Sequence, residues 1–325
     1  RTHTTSKRIM AEEGRIGIIY SPHLGLDQSQ KRWGLMRKYM EQKGVKFDFV
    51  QSEEFSSVER LTKMMCGNGY STIAVVGGDG SLNSAVNAVM SCRDTLPPDF
   101  ALAVLPNGSA NDFARFWGLS VEDYKLAVDS IMERLLARHA RTVDVGRCVY
   151  MDEGIPQVRY FLNCINIGLG ARLIKTTNDA AHIIGSTKLS LIPALISQIF
   201  ERQQFDLSMK IDTEEIEDTY MSVCIGNCHG YGQTPNSVPY NGMLDISLIT
   251  RPQWWQLFEG FWLLGKGRFL NYKNVHPYRS DYVVVNNVDK ALVSLDGRML
   301  QAKSPEPIKV SVQKEAINFV VPLVK

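Results

Sequence analysis

The sequence predicts an α/β domain built on a parallel sheet, followed by a β-rich domain with the pattern of a sandwich. Three observations carry that reading. Short apolar runs alternate with helical patterns up to about residue 140. From Arg141 onward the pattern changes to closely spaced strands. The length, 325 residues, exceeds the ~250–300 at which a single core stops growing. The expected organisation is a tag or disordered leader over 1–10, an α/β domain over 11–140 and a β-rich domain over 141–325.

The first-domain elements follow in order. Arg15–Tyr20 (RIGIIY) is a buried strand, continuous in its apolar residues as parallel strands are. Asp27–Gly44 is a helix with Trp33, Met36 and Met40 on one face, Asp27 as N-cap and Gly44 at its stop. Val45–Val50 is the second strand, and Phe55–Cys66 the second helix, closed by Gly67-Asn68-Gly69. Ser71–Val76 and Phe100–Leu105 are the third and fourth strands, separated by a helix from Ser81 to Cys92. Further helices are expected at Asn111–Trp117 and Val121–His139.

The second domain reads as strands at Thr142–Tyr150, Gln157–Ile167, Phe205–Ile211, Ile216–Ile225 and Met243–Thr250. Four more follow at Tyr282–Asn286, Lys290–Leu295, Ile308–Val312 and Ala316–Val321. Helical interruptions fit Ala171–Phe200 and Pro252–Leu264.

Charge and cysteine content narrow the function class. Lys+Arg number 36 and Asp+Glu 34, a net +2, without the basic excess of a nucleic-acid binder. Arg1, Lys7 and Arg8 supply that excess; without residues 1–10 the balance is 33 against 34, with Met10 a natural start. The six cysteines form no CxxC pair, and Cys224, Cys228 and His229 have no fourth ligand nearby, so zinc is not expected. Scattered thiols and no long apolar run suggest a cytoplasmic protein without a membrane span.

Ligands of open parallel sheets bind beyond the carboxyl ends of the strands. Three segments fall there: Ser21–Gly25, Gly77-Gly78-Asp79-Gly80-Ser81 and Leu105–Asp112 (LPNGSAND). Glycines let backbone approach a phosphate closely, and the helix N-terminus that follows presents N–H groups to an anion. Asp79 adds a carboxylate suited to a divalent cation or a proton-accepting role. An ordinary strand-to-helix turn would explain either loop alone; the pair on adjacent strands is more specific. There is no GxxxxGK[ST], GxGxxG or HExxH, and a P-loop kinase or a dinucleotide dehydrogenase is therefore disfavoured.

Gly77–Ser81 resembles the GGDGT signature, and Leu105–Asp112 the LPxGTxND signature, of the diacylglycerol kinase catalytic-domain family of lipid kinases. That family includes bacterial lipid kinases and sphingosine kinases and is distantly related to NAD kinases. Phe161–Ala171 (FLNCINIGLGA) is similar to its FxNxxxxGxxA segment. Gly226-Asn227 with Pro235–Gly242 resembles its GN…PxAxxxDG stretch, and Leu295-Asp296-Gly297 its DGE motif. The resemblance implies an NAD-kinase-like nucleotide domain, a C-terminal β-sandwich that takes the lipid, and an active site in the interdomain cleft. It implies transfer of the ATP γ-phosphate to a lipid hydroxyl with Mg²⁺. By position, Gly77, Gly78, Gly80 and Ser81 would cradle phosphates, and Asn107, Gly108, Ser109, Asn111 and Asp112 would line the nucleotide side. Asp79 would act at the metal and γ-phosphate, and Asp296 would be the base for the lipid hydroxyl.

Four positions depart from that pattern. Ser84 and Arg298 stand where the family has Glu, Asn241 where it has Asp, and Ser21 where it has Asn. Three of these changes remove a carboxylate, which weakens or reorganises metal binding, with Asp79, Asp245 and Asp296 retained. The alternative is a degenerate kinase scaffold acting as a nucleotide- or lipid-binding regulatory protein. A kinase acting on a soluble dinucleotide fits GGDG alone, but not the late motifs.

Gln253–Leu264 is rich in aromatics. If it is helical, Trp254, Phe258, Phe261 and Trp262 share a face that could pack on the sandwich or touch a bilayer peripherally. Lys266, Arg268, Lys273 and Arg279 follow and would face anionic headgroups or solvent.

Overall fold

The computed structural model describes residues 16–22, 26–184, 204–250, 252–288, 291–300 and 305–323. The expected leader 1–10, His23–Gly25 of the first loop and the end of the expected helix Ala171–Phe200 lie outside the described residues. The chain divides into two units, one running to Thr142 and resuming at Ile317, the other spanning Val143–Ala316.

In the first unit, β1 (Ile16–Tyr20), β2 (Phe47–Gln51), β3 (Thr72–Gly77) and β4 (Ala101–Pro106) form a parallel sheet in the order β2-β1-β3-β4. Every residue of β1, β3 and β4 is buried, as their unbroken apolar runs require, whereas edge strand β2 is largely exposed. The helices are α1 (Leu26–Gln42), α2 (Phe55–Cys66), α3 (Asp79–Cys92), α4 (Asp112–Phe116) and α5 (Tyr124–Ala137). Trp33, Met36 and Met40 are buried along α1 as their spacing predicts. Each such side chain contributes roughly 1.5–3 kcal/mol of burial. Asp27 lies in the first turn of α1 rather than at its N-cap. Gly44 takes φ +74° just past the helix end, the left-handed stop that favours glycine.

The second unit contains β5 (Arg141–Asp152), β6 (Ile155–Phe161), β7 (Cys164–Gly168), α6 (Leu169–Ile184), β8 (Phe205–Ile211), β9 (Glu214–Gly226) and β10 (Leu244–Thr250). Then come α7 (Trp254–Gly265), β11 (Val275–Ser280), β12 (Tyr282–Asn286), β13 (Val293–Leu295), β14 (Arg298–Leu300) and β15 (Ile308–Phe319). Its strands pair antiparallel in the order β14-β13-β7-β9-β8-β12-β15, with β10 between β9 and β11 and β6 on β5. They enclose one apolar core that includes Phe161, Ile165, Val223, Ile225, Ile246 and Val283.

Two expectations are corrected. Gln157–Ile167 is two strands, because the chain breaks at Leu162-Asn163. Ile308–Val312 and Ala316–Val321 are one strand, β15, which absorbs a left-handed residue at Glu315 (φ 49°) whose N–H goes to Asp144 Oδ1 at 2.9 Å. From Ile317 on, β15 belongs to the first unit, where it pairs parallel with β4, Asn318 opposite Ala101.

Candidate active site

β3 ends at Gly77 and α3 begins at Asp79, so the chain turns from strand to helix at Gly78. Gly78 caps α3 with extended backbone and, as a glycine, brings no side chain of its own to the first N–H groups. Such a terminus attracts anions through its N–H donors and the positive end of the helix dipole. β4 ends at Pro106, and the next loop leads into α4. The two loops meet through glycine. A Cβ on Gly108 would stand 2.5 Å from Gly78 Cα, and one on Gly77 would stand 2.8 Å from Ser81 Cβ. A side chain at Gly108 would force the loops apart, and one at Gly77 would displace Ser81 within its own loop.

Asp79 fastens the pair. Its Oδ2 accepts the N–H of Asp112 at 3.0 Å, and its Oδ1 that of Phe113 at 3.3 Å. These are the first donors of α4, whose N-cap residue Asn111 has left-handed backbone and offers no side-chain cap. Asn111 closes its own loop instead, accepting the Gly108 N–H at 3.0 Å and donating to the Gly108 carbonyl at 2.8 Å.

Several expected nucleotide contacts hold the loops rather than face outward. Asn107 is buried; its Nδ2 donates to the Ser29 carbonyl and Oγ, and its Oδ1 accepts from Arg32 Nε at 2.7 Å. Ser81 Oγ donates to Ser21 Oγ at 2.9 Å, which places the serine at 21 beside the Gly77–Ser81 loop. Gly80 and Asp112 are half-buried and Ser109 is exposed. Arg32, from the polar side of α1, is the functional candidate that the sequence did not single out. Nothing distinguishes it in the sequence from Lys31, Arg37 and Lys38 of the same helix.

The second unit gathers its own motif segments. Asp296 and Gly297 both have positive φ (47° and 81°) and form the two-residue turn between β13 and β14. The Asp296 carboxylate is buried and accepts three backbone N–H groups: Leu162 at 2.8 Å, Asn163 at 2.9 Å and Cys164 at 2.9 Å. Asn163 Oδ1 accepts the Gly230 N–H at 2.9 Å, and Asn227 Nδ2 donates to the carbonyls of Asp144 and Leu162. Three motif segments remote in sequence therefore meet in one buried cluster. Asp144, also missed in the sequence, accepts the N–H groups of Gly242 and Glu315.

The departures have definite surroundings. Ser84 is buried and its hydroxyl donates back to the Gly80 carbonyl at 3.2 Å. Asn241 is exposed and accepts the Met243 N–H at 3.0 Å. Asp245 takes a bidentate pair from Arg279 at 2.5 and 3.1 Å, which pushes the Arg279 guanidinium further up from its ordinary value. Among the described residues, no three His, Cys, Asp or Glu side chains converge on a metal position.

The second unit also holds an apolar cavity of about 120 Å³. Leu169, Leu173 and Ile174 of α6 line it with Leu257, Phe261 and Leu264 of α7. The expected aromatic face of α7 is corrected here. Trp255, Phe258 and Trp262 are 55%, 53% and 59% exposed, while Phe261 packs against the core formed with Leu257 and Leu263. The side chain of Trp254 lies outside the described residues.

Comparison with known proteins decides the lineage. The diacylglycerol kinase catalytic domain matches residues 15–148, and the YegS C-terminal NAD kinase beta sandwich-like domain matches residues 163–321. The chain belongs to the diacylglycerol kinase family. A diacylglycerol kinase from Bacillus subtilis is 24% identical over 294 residues, covering 87% of this chain and 89% of that protein. One from Mycobacterium tuberculosis is 23% identical over 279 residues, with 84% and 85% covered. The fold of this diacylglycerol kinase family member also matches solved structures. The crystal structure of a Bacillus anthracis diacylglycerol kinase superposes with TM-score 0.65 at 16% identity, covering 95% and 97% of the two chains. Yeast NADH kinase superposes with TM-score 0.54 at 9% identity, covering 94% and 82%. Among the described residues, no helix is long and apolar enough to cross a membrane.

Proposed function

We propose that the protein transfers the γ-phosphate of ATP to the hydroxyl of a lipid with an apolar tail. The observation that carries this reading is the union of the Gly77–Ser81 and Asn107–Asp112 loops through Gly78, Gly108 and Asp79. The N-cap of α3 is a glycine, which adds no side chain of its own at the helix N-terminus, and that fits the phosphates of a nucleotide. The N–H groups of Asp79, Gly80 and Ser81 would receive the phosphates, and Arg32 would add positive charge at the Asn107 loop. In the transfer, the bond between the γ-phosphorus and its bridging oxygen breaks as the lipid oxygen bonds to phosphorus, and the hydroxyl proton passes to a base. Positioning and charge neutralisation dominate such a step.

Among the described residues, no three His, Cys, Asp or Glu side chains form a metal cage. Mg²⁺ that accompanies a nucleotide needs only one or two protein carboxylates beside phosphates and water, and Asp79 is the carboxylate at this cradle. When bound, Mg²⁺ would neutralise phosphate charge. Asp296 remains the proposed base for the lipid hydroxyl, although its hydrogen bonds to the 162–164 backbone make it at least a positioning residue. The cavity between α6 and α7 suits an acyl or alkyl tail of a diacylglycerol, sphingoid base or related lipid.

The second reading, a non-catalytic nucleotide- or lipid-binding scaffold, is favoured by the hydroxyl of Ser84 turned onto Gly80 and by Arg298 in place of a carboxylate. Labelled ATP with lipid in mixed micelles tests the choice. Phosphorylated lipid supports the kinase. ATP-dependent thermal stabilisation without any product supports the scaffold.

A further inference from the structure

The α7 helix presents apolar residues on two opposite sides. Leu257, Phe261 and Leu264 face the cavity. On the other side, Trp255, Phe258 and Trp262 follow one another at the three- and four-residue spacing of one helix face, each more than half exposed. Three large aromatic side chains on one exposed face are out of proportion to ordinary surface composition. Tryptophan favours the level of lipid headgroups, where its ring is half apolar and half wetted. The charge around the helix points to the occupant. From Pro252 to Ser280 the chain carries Lys266, Arg268, Lys273 and Arg279 against one acid, Glu259. Lys266, Arg268 and Lys273 are exposed, and Arg279 is paired with Asp245.

We propose that this α7 face docks on an anionic lipid bilayer, with Trp255, Phe258 and Trp262 entering the headgroup layer and Lys266, Arg268 and Lys273 meeting acidic headgroups. The inner side of the same helix walls the cavity, so docking brings the tail pocket to the bilayer surface. This deepens the lipid-kinase reading and rests on it for the purpose of docking, though not for the docking itself. Net attraction does not come from the whole chain, whose formal charge is only +2; it is local to α7 and the segment after it.

The test is co-sedimentation of the full chain with vesicles of phosphatidylcholine alone and of phosphatidylcholine with phosphatidylserine. The parent is expected to bind the anionic vesicles, more weakly in high salt, with its tryptophan emission quenched by brominated lipid. The W255Q/F258Q/W262Q variant should lose at least ~10-fold in partitioning, as expected for removal of an interfacial apolar face. K266E/R268E/K273E should lose binding to anionic vesicles selectively. Turnover of a short-chain acceptor dispersed as monomers should be unchanged in the aromatic variant. Equal sedimentation of parent and aromatic variant overturns the proposal, as does a parent that binds neither vesicle. If vesicle binding follows this pattern but no acceptor is phosphorylated, the kinase reading fails while the docking surface stands.

Discussion

Asp79 Oδ2 accepts the backbone N–H of Asp112 at 3.0 Å, so the carboxylate of one glycine-rich loop serves as the N-terminal cap of the helix that follows the other. A change at Asp79 therefore acts twice, on loop geometry and on charge at the proposed phosphate site. Asp79→Ala should lower lipid phosphorylation by at least ~10²-fold, with a loss of about 1–2 kcal/mol in stability from the uncapped α4. Initial rates and thermal melts of the same preparation check both numbers.

Gly108 touches Gly78 backbone to backbone. A Cβ at 108 would stand 2.5 Å from Gly78 Cα, where no flexible side chain can give way. Gly108→Ala should cost roughly 1–3 kcal/mol by overpacking and spread the two loops. The expected outcome is loss of ATP-dependent thermal stabilisation, with Ser109→Ala, at an exposed hydroxyl, near the parent.

Asp296 holds the Leu162–Cys164 backbone with three N–H bonds in a buried site. Asn at 296 keeps the size but turns one acceptor oxygen into a donor facing an N–H. Asp296→Asn should destabilise the protein by about 2–3 kcal/mol. If Asp296 is also the base, turnover measured on the folded fraction falls while ATP affinity holds. An unchanged turnover with reduced stability leaves it a positioning residue alone.

Tyr272 is 2% exposed and its hydroxyl is buried without a hydrogen-bond partner. Burial, with Glu259 nearby, pushes its phenol from an ordinary 10.0 up to about 12. Below pH 10 the phenol is protonated in both folded and unfolded chains, so its contribution to stability is complete there. Between 10 and about 12 the unfolded phenol ionises first, and stability falls as pH rises. Tyr272→Phe should flatten that alkaline decline and be neutral or slightly stabilising at pH 7, because it removes an unsatisfied buried group. Melting temperatures across pH 7 to 11.5 read both effects.

The first unit was largely legible because its buried parallel strands are unbroken apolar runs, such as Ile16–Tyr20 and Ala101–Pro106. The two glycine loops were legible for the same local reason: backbone that must approach backbone needs glycine. What escaped depends on partners remote in sequence. Arg32 reaches Asn107 across 75 positions, and nothing in α1 marks it. β11 contains Pro277 with the polar residues His276, Arg279 and Ser280, and it was missed because its pairing with β10 overrides a weak local preference. The orientation of α7 was unreadable because apolar residues occupy nearly the whole circumference of Trp254–Gly265, so periodicity could not choose the buried side.

The central claim is phosphoryl transfer to lipid, and labelled ATP incubated with parent protein and a panel of lipid alcohols in mixed micelles tests it most directly. The account predicts a labelled lipid product from the parent and essentially none from Asp79→Ala. No labelled lipid from a parent that ATP stabilises thermally, or equal product from both proteins, would contradict it.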